Sequence, residues 1–154
     1  EEEWPLPMGA TMLYFIFPNI QIIIGRGTTN LVKIYPHQGD PAHSTSRICH
    51  YFTANAIEAE KEALATGNAM TLDDVYDFEA RKEKVPNLAV INEVFDSTIE
   101  QEDYAMGERI QVAAESGELD KVIFGRNEPA LHHYHNAYRA ELGLEPLLEY
   151  RAKD

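Results

Sequence analysis

Residues 99–113, IEQEDYAMGERIQVA, hold the side chain best placed to do chemistry in this chain. Wound as a helix, Ile99, Asp103, Met106, Ile110 and Ala113 share one face at the spacing of a core-facing stripe. A carboxylate on such a stripe costs several kcal/mol unless something compensates it. Its neighbours one turn away are Ile99, Glu100, Met106 and Gly107, none of them a cation. Three options follow: a partner from elsewhere in the fold, a protonated carboxyl, or a metal ion. A structural aspartate, or a stripe one residue out of phase, stands beside the functional reading. Gly107 favours the latter slightly, because a mid-helix glycine costs about 1 kcal/mol against alanine and often marks a close approach.

Histidines form the second set. In LHHYH, His132 and His135 are spaced i, i+3 and could share a metal, but the H-E-x-x-H pattern of zinc helices is absent. A core His135 with exposed His132 and His133 is the simpler expectation. His50 alternates with Ile48 and Phe52 on one strand face, so it lines an interior or a pocket, as a hydrogen-bonded histidine before a ligand. Cys49 sits mid-strand without an elbow motif, and Gly25-Arg26-Gly27 lacks the spacing of a phosphate loop.

These residues need elements to hold them. MLYFIF, QIIIG and NLVKIYP are β-rich, HQGDPAHS reads as loop, and TSRICHYFT alternates; three antiparallel strands are the simplest arrangement. From Asn55 the pattern turns helical. AIEAEKEALAT ends at Gly67, an acidic segment opens at Thr71 and Asp74 and breaks at Pro86, and Ser97 and Glu100 form a capping box that starts the helix of Asp103. That helix ends near Ser116-Gly117. A last one starts at Asn127 and Pro129, stops at Gly143, and carries the stripe Leu131, Tyr134, Tyr138 and Leu142. A sheet followed by helices is an α+β arrangement, and 154 residues fit one domain spanning 1–154.

Composition narrows the partners. A formal net charge of −13 argues against a nucleic-acid backbone. No apolar run is long enough for a membrane span, and the acidic first residues do not resemble a secretory signal, so a cytoplasmic setting is expected. One cysteine excludes an internal disulfide and a Cys-rich cluster held by this chain alone. Opening at Glu1 rather than methionine fits a piece of a longer protein.

FIFPNIQIIIG, then VKIYPHQGDPAHSTSRICHYF, then IEQEDYAMGERIQ, and finally EPALHHYHNAYR occur in an order that resembles the C-terminal part of the catalytic domain of Rieske-type aromatic-ring-hydroxylating oxygenase large subunits. The resemblance spans roughly residues 12 to 142 and is weakest over 57 to 86. It implies an incomplete helix-grip fold (START/SRPBCC-like) and a mononuclear Fe(II) held by two histidines and one aspartate. The aspartate of the E-D pair corresponds to Asp103. By position only, Phe17, Asn19, His50, Phe95 and Ile99 would line an apolar substrate pocket. Glu100, Glu102 and Glu108 would be the solvated side of the helix.

The departures are equally specific. The family's 2Fe-2S centre needs two cysteines and two histidines, which a chain with one cysteine cannot supply. The paired-histidine segment lies upstream of the FPN strand in the family, and nothing before Met12 resembles it. The resemblance therefore implies O₂-driven hydroxylation of an aromatic or apolar small molecule only with additional N-terminal elements, a separate Rieske domain or ferredoxin and reductase, and a homo-oligomeric assembly. Two rivals remain: a metal-free hydrophobic-ligand-binding helix-grip module, and an inactive remnant of the domain.

Overall fold

A computed structural model describes residues 11–25, 27–118 and 121–148. The chain begins with a four-stranded antiparallel sheet in the order β1 (Met12–Ile16), β2 (Ile20–Ile24), β3 (Thr28–His37), β4 (Asp40–Phe52). The expectation of three strands fails at Pro18. Phe17, Pro18 and Asn19 make a tight turn that splits the first apolar run into a hairpin, with Ile16 opposite Ile20. The expected loop HQGDPAHS is also corrected. Only Gln38 and Gly39 turn, Gly39 supplying φ +77°, and Asp40 onward pairs back on β3 across a register shift at Pro36/His37. Pairing with β3 overrides the turn-rich composition, because each strand residue gains ladder hydrogen bonds that a loop would leave to water. Of the Gly25-Arg26-Gly27 turn, Arg26 lies outside the described residues. So does the acidic N-terminus.

Register places the key residues on one face. Leu13 faces Ile23, Ile23 faces Asn30, and Asn30 faces His50, so these four share a face with Phe15, Val32 and Ile48. Ile48, His50 and Phe52 are all half-buried and Arg47 and Tyr51 exposed, as the alternation predicts, but Cys49 between them is half-buried as well.

Among the described residues six α-helical stretches follow. Thr53 caps α1 (Ala54–Thr66) by accepting from the Ala56 N–H, and Gly67 ends it with φ +73°. Two single turns, α2 (Leu72–Val75) and α3 (Ala80–Glu83), lead to α4 (Leu88–Thr98). The chain then runs on without a break through a π-helical segment (Ile99–Tyr104) into α5 (Ala105–Glu115), and α6 (Pro129–Glu141) comes last.

The expected helix start at Ser97 is therefore wrong. The start lies ten residues upstream of Thr98, at Leu88, where Asn87 accepts from the Ala89 and Val90 N–H groups. Ser97 is inside α4 and donates its hydroxyl to the Val94 carbonyl. A serine followed by a glutamate three residues on is also what a solvated helix surface produces, so the pattern had no capping role here.

The buried core is small: Val32, Ala63, Met70 and Leu88 among apolar residues, with Asn30 the buried polar one. Apolar side chains remain uncovered on β1 and on α5, where Leu13, Met106 and Ile110 are exposed. No helix among the described residues is long and apolar enough to cross a membrane.

The acidic segment carries two ion pairs, Lys82–Glu79 at 3.0 Å on exposed side chains and the less exposed Lys84–Asp74. Asp74 accepts from the Thr71 backbone N–H at 2.7 Å and hydroxyl at 2.6 Å, and from Lys84 Nζ at 2.7 and 2.8 Å. Lys84 and then Thr71 hold its carboxyl at about 2, below the ordinary 3.8. A depressed carboxyl contributes stability that is complete above its unfolded value and lost as pH falls through the folded one. Asp74→Asn is accordingly expected to weaken the fold at pH 7 and to abolish the part of acid denaturation that falls between pH 4 and 2. Urea midpoints of both proteins across that range check it.

Candidate functional site

Asp103 sits in the π-helical segment, five residues beyond Thr98. Its carboxylate is exposed and has no hydrogen-bond or ion-pair partner among the described residues. The core-facing stripe that first singled it out is not buried. Ile99 is half-buried, but Met106 and Ile110 are 54% and 56% exposed. A π turn holds one residue more than an α turn, so everything downstream is rotated relative to the straight α-helix that the spacing assumes. A Cβ at Gly107 would meet nothing within 4 Å, so this glycine marks no close approach. Glu100, Glu102 and Glu108 are exposed, as a solvated side requires.

Two of the five expected pocket residues come together. His50 and Phe95 meet edge-to-face with ring centroids 5.8 Å apart, and Ile99 follows one turn along the same helix. Phe17 and Asn19 belong to another cluster at the β1–β2 turn. Asn19 Nδ2 donates to the Ile34 carbonyl at 2.7 Å, four residues along β3 from Asn30 and hence roughly 13 Å from the His50 row.

Phe17 packs against Tyr138 at 4.8 Å, and Phe15 against Tyr134 at 4.6 Å. Tyr134 and Tyr138 both donate to the Pro18 carbonyl, at 3.0 and 2.7 Å. Burial, then the neighbouring Tyr138 hydroxyl, pushes Tyr134 above the ordinary tyrosine range, so it stays a donor at neutral pH. These contacts pin α6 to the same sheet face that α4 reaches. Tyr138→Phe is expected to cost about 1 kcal/mol and Tyr134→Phe no more than that, since the shared acceptor keeps one donor in either variant. Chemical denaturation of the two single variants and the double one checks this, the double costing more than the sum.

The histidines of LHHYH divide differently from the expectation. His133 is exposed, but His132 and His135 are both half-buried against Phe124, at 6.2 and 4.6 Å. His135 is thus a packing residue, though not a fully buried one. His132 departs from its expected exposure because the strand-less stretch before α6 folds Phe124 back over it.

A cavity of about 580 Å³ opens between the start of β3, α1 and the beginning of α4. Its lining includes Thr28, Thr53, Ala59, Val85, Leu88 and Ile91, and none of the five expected pocket residues. Sequence reasoning missed it because Val85 and Pro86 lie in the segment with least pattern. It also missed Asn30 and Asp96, the partners of His50. Asn30 alternates with Val32 on β3, so its burial was readable as a polar residue on a core face.

Residues 2–143 match the ring-hydroxylating alpha subunit, catalytic domain, family. This chain belongs to that family of oxygenase catalytic domains. The open antiparallel sheet with helices agrees with a helix-grip-like α+β fold. No curated protein and no solved structure matched the chain.

A two-histidine, one-carboxylate iron site needs three convergent ligands. Among the described residues no three His, Cys, Asp or Glu side chains converge to hold a metal ion. Asp103 offers a free carboxylate and nothing beside it to complete the set, so the described residues do not by themselves fit mononuclear iron.

Proposed function

We propose that residues 1–154 form one unit of a ring-hydroxylating oxygenase catalytic domain, with Asp103 supplying the single carboxylate of its mononuclear Fe(II) site. The two histidines come from polypeptide outside these residues. The reaction is hydroxylation of an aromatic or similarly apolar small molecule with O₂, with electrons delivered from a Rieske cluster carried elsewhere and a reductase. The observation that supports this reading is the family match over residues 2–143, within which the E-D pair at Glu102 and Asp103 resembles the one that carries the family's carboxylate. Its position in a π-helical segment supports it, since such segments recur at functional sites. The uncovered apolar faces of β1 and α5 fit a domain that further polypeptide completes.

The test is iron stoichiometry in the intact polypeptide, before and after Asp103→Asn. One ferrous ion per chain in the parent and its loss in the variant support the reading; retained iron and turnover in the variant overturn it.

A second reading has one observation in its favour. The 580 Å³ cavity lies in the size range of small-molecule sites, is lined mainly by apolar groups, and contains no part of the Asp103 segment. In a metal-free carrier of hydrophobic ligands, filling that space with Ala59→Trp would abolish ligand binding while Asp103→Asn would leave it unchanged.

A further inference from the structure

His50 stands where the sheet meets the helix that carries Asp103. Its side chain is 15% exposed, and each ring nitrogen has a partner. Nδ1 lies 2.9 Å from Oδ1 of Asn30, the residue directly opposite in β3, which is itself buried. Nε2 lies 3.2 Å from Oδ1 and 3.4 Å from Oδ2 of Asp96 on α4, a side chain that is 52% exposed. Phe95 closes the ring edge-on.

The chain of contacts serves either form of the ring. An imidazolium donates from both nitrogens, to the Asn30 carbonyl oxygen and to the Asp96 carboxylate. A neutral imidazole donates to Asp96 from Nε2 and accepts at Nδ1 from the Asn30 amide turned end for end. An asparagine can serve both ways; an aspartate or leucine at position 30 could not.

Little else holds this helix to the sheet. Among the described residues, His50–Asp96 is the sole side-chain hydrogen bond between the strands and residues 88–115. The far end of α4 is tied to α1 instead, where Glu60 accepts the Leu88 N–H at 2.7 Å. Seven residues, or about 10 Å of helix, separate Asp96 from Asp103 with no break between them.

We propose that Asn30, His50 and Asp96 form a hydrogen-bonded latch that fixes the rotation of the α4–π helix on the sheet, making His50 a positioning residue for the Asp103 carboxylate. This rests on the reading of Asp103 as a metal ligand. The latch sets where that carboxylate points, because a rigid helix clamped at Asp96 cannot roll without carrying Asp103 with it. Without the clamp, α4 keeps its tie to α1 through Glu60, while the segment beyond Asp96 loses its fixed phase and its π-helical turn opens more often.

The experiment uses the half-exposed Asp96, whose replacement leaves the core intact. Asp96→Ala removes the acceptor; Asp96→Asn keeps one, its side-chain oxygen still able to take the Nε2–H. Amide hydrogen exchange and the imidazole N–H resonance of His50 are read for each. In Asp96→Ala, exchange over residues 99–104 should rise at least tenfold and the His50 ring N–H signal should vanish, with β2 and β3 protection unchanged. Asp96→Asn should restore both. In the intact polypeptide, ferrous affinity should fall about tenfold in Asp96→Ala and recover in Asp96→Asn.

Unchanged exchange in Asp96→Ala, or an Asp96→Asn variant as disturbed as the alanine one, overturns the latch. Should Asp103→Asn itself retain iron, the ligand reading fails, while exchange and the ring N–H still report the latch independently.

Discussion

Replacing Asp103 with asparagine is expected to lower ferrous-ion affinity of the intact polypeptide by more than about 100-fold, and to abolish hydroxylation with it. Loss of a partner that merely orients a ligand already costs 10- to 100-fold in metal affinity, and removing the charged ligand that the proposed site assigns to Asp103 should cost more. The amide preserves shape and volume, so the loss isolates charge and donor strength. Asp103 is exposed and free of partners among the described residues, so the substitution breaks no contact, and the unfolding midpoint should stay within the ±0.5 kcal/mol usual for surface changes. Glu102→Gln, one residue away and equally exposed, is the matched control and should leave iron binding unchanged. Ferrous titration followed by metal analysis reads both. Equal affinity in Asp103→Asn and the parent would remove Asp103 from the site.

Leu88→Ala should have the largest effect on stability. Among the described residues Leu88 is one of four buried apolar ones, it begins α4, and it lines the 580 Å³ cavity. Truncating a buried leucine costs about 2–5 kcal/mol, through lost burial and through the space left behind. Here the wall borders a cleft open to solvent, so water can occupy part of the space left behind, and the cost should fall in the lower half of that range. Against a total stability of about 5–15 kcal/mol for an ordinary domain, that is enough to unfold a measurable fraction of the chain. Urea denaturation should show an earlier midpoint with the slope unchanged. By contrast Ile110→Ala, on the exposed side of α5, should shift the midpoint by less than about 0.5 kcal/mol. If Ile110→Ala cost as much as Leu88→Ala, the α5 face would be covered after all.

The comparison of these two positions separates what the amino-acid order could specify from what it could not. Local signals were legible. The β-branched runs of β2 and β3, the Gly67 and Gly143 helix ends, Pro129 at the first turn of α6, and the alternation that faces His50 inward all appear where their chemistry places them. Each depends on backbone preference within a few residues, and no distant partner is needed to decide it. The strand-turn-strand at Pro18 and the strand from Asp40 to Ser44 were hidden, because pairing with a neighbour outweighed a composition suited to loops.

The site followed the same division. Motif order pointed to an oxygenase catalytic domain, and the family match agrees on the family; the E-D pair at Asp103 belongs to the proposal. Periodicity also marked Asp103, but on a false premise, since it assumed an unbroken α-helix buried along one side. The π-helical segment changes the phase, and no described element covers the stripe. Nor could any local pattern join Asn30, His50 and Asp96, which are 20 and 46 residues apart from the histidine in sequence. The amino-acid order determined most of the local element signals and the family, and it singled out Asp103 as the candidate carboxylate. Only the tertiary structure decided which way that carboxylate faces and what holds its helix, because helix phase and side-chain pairing are settled by the surfaces that meet.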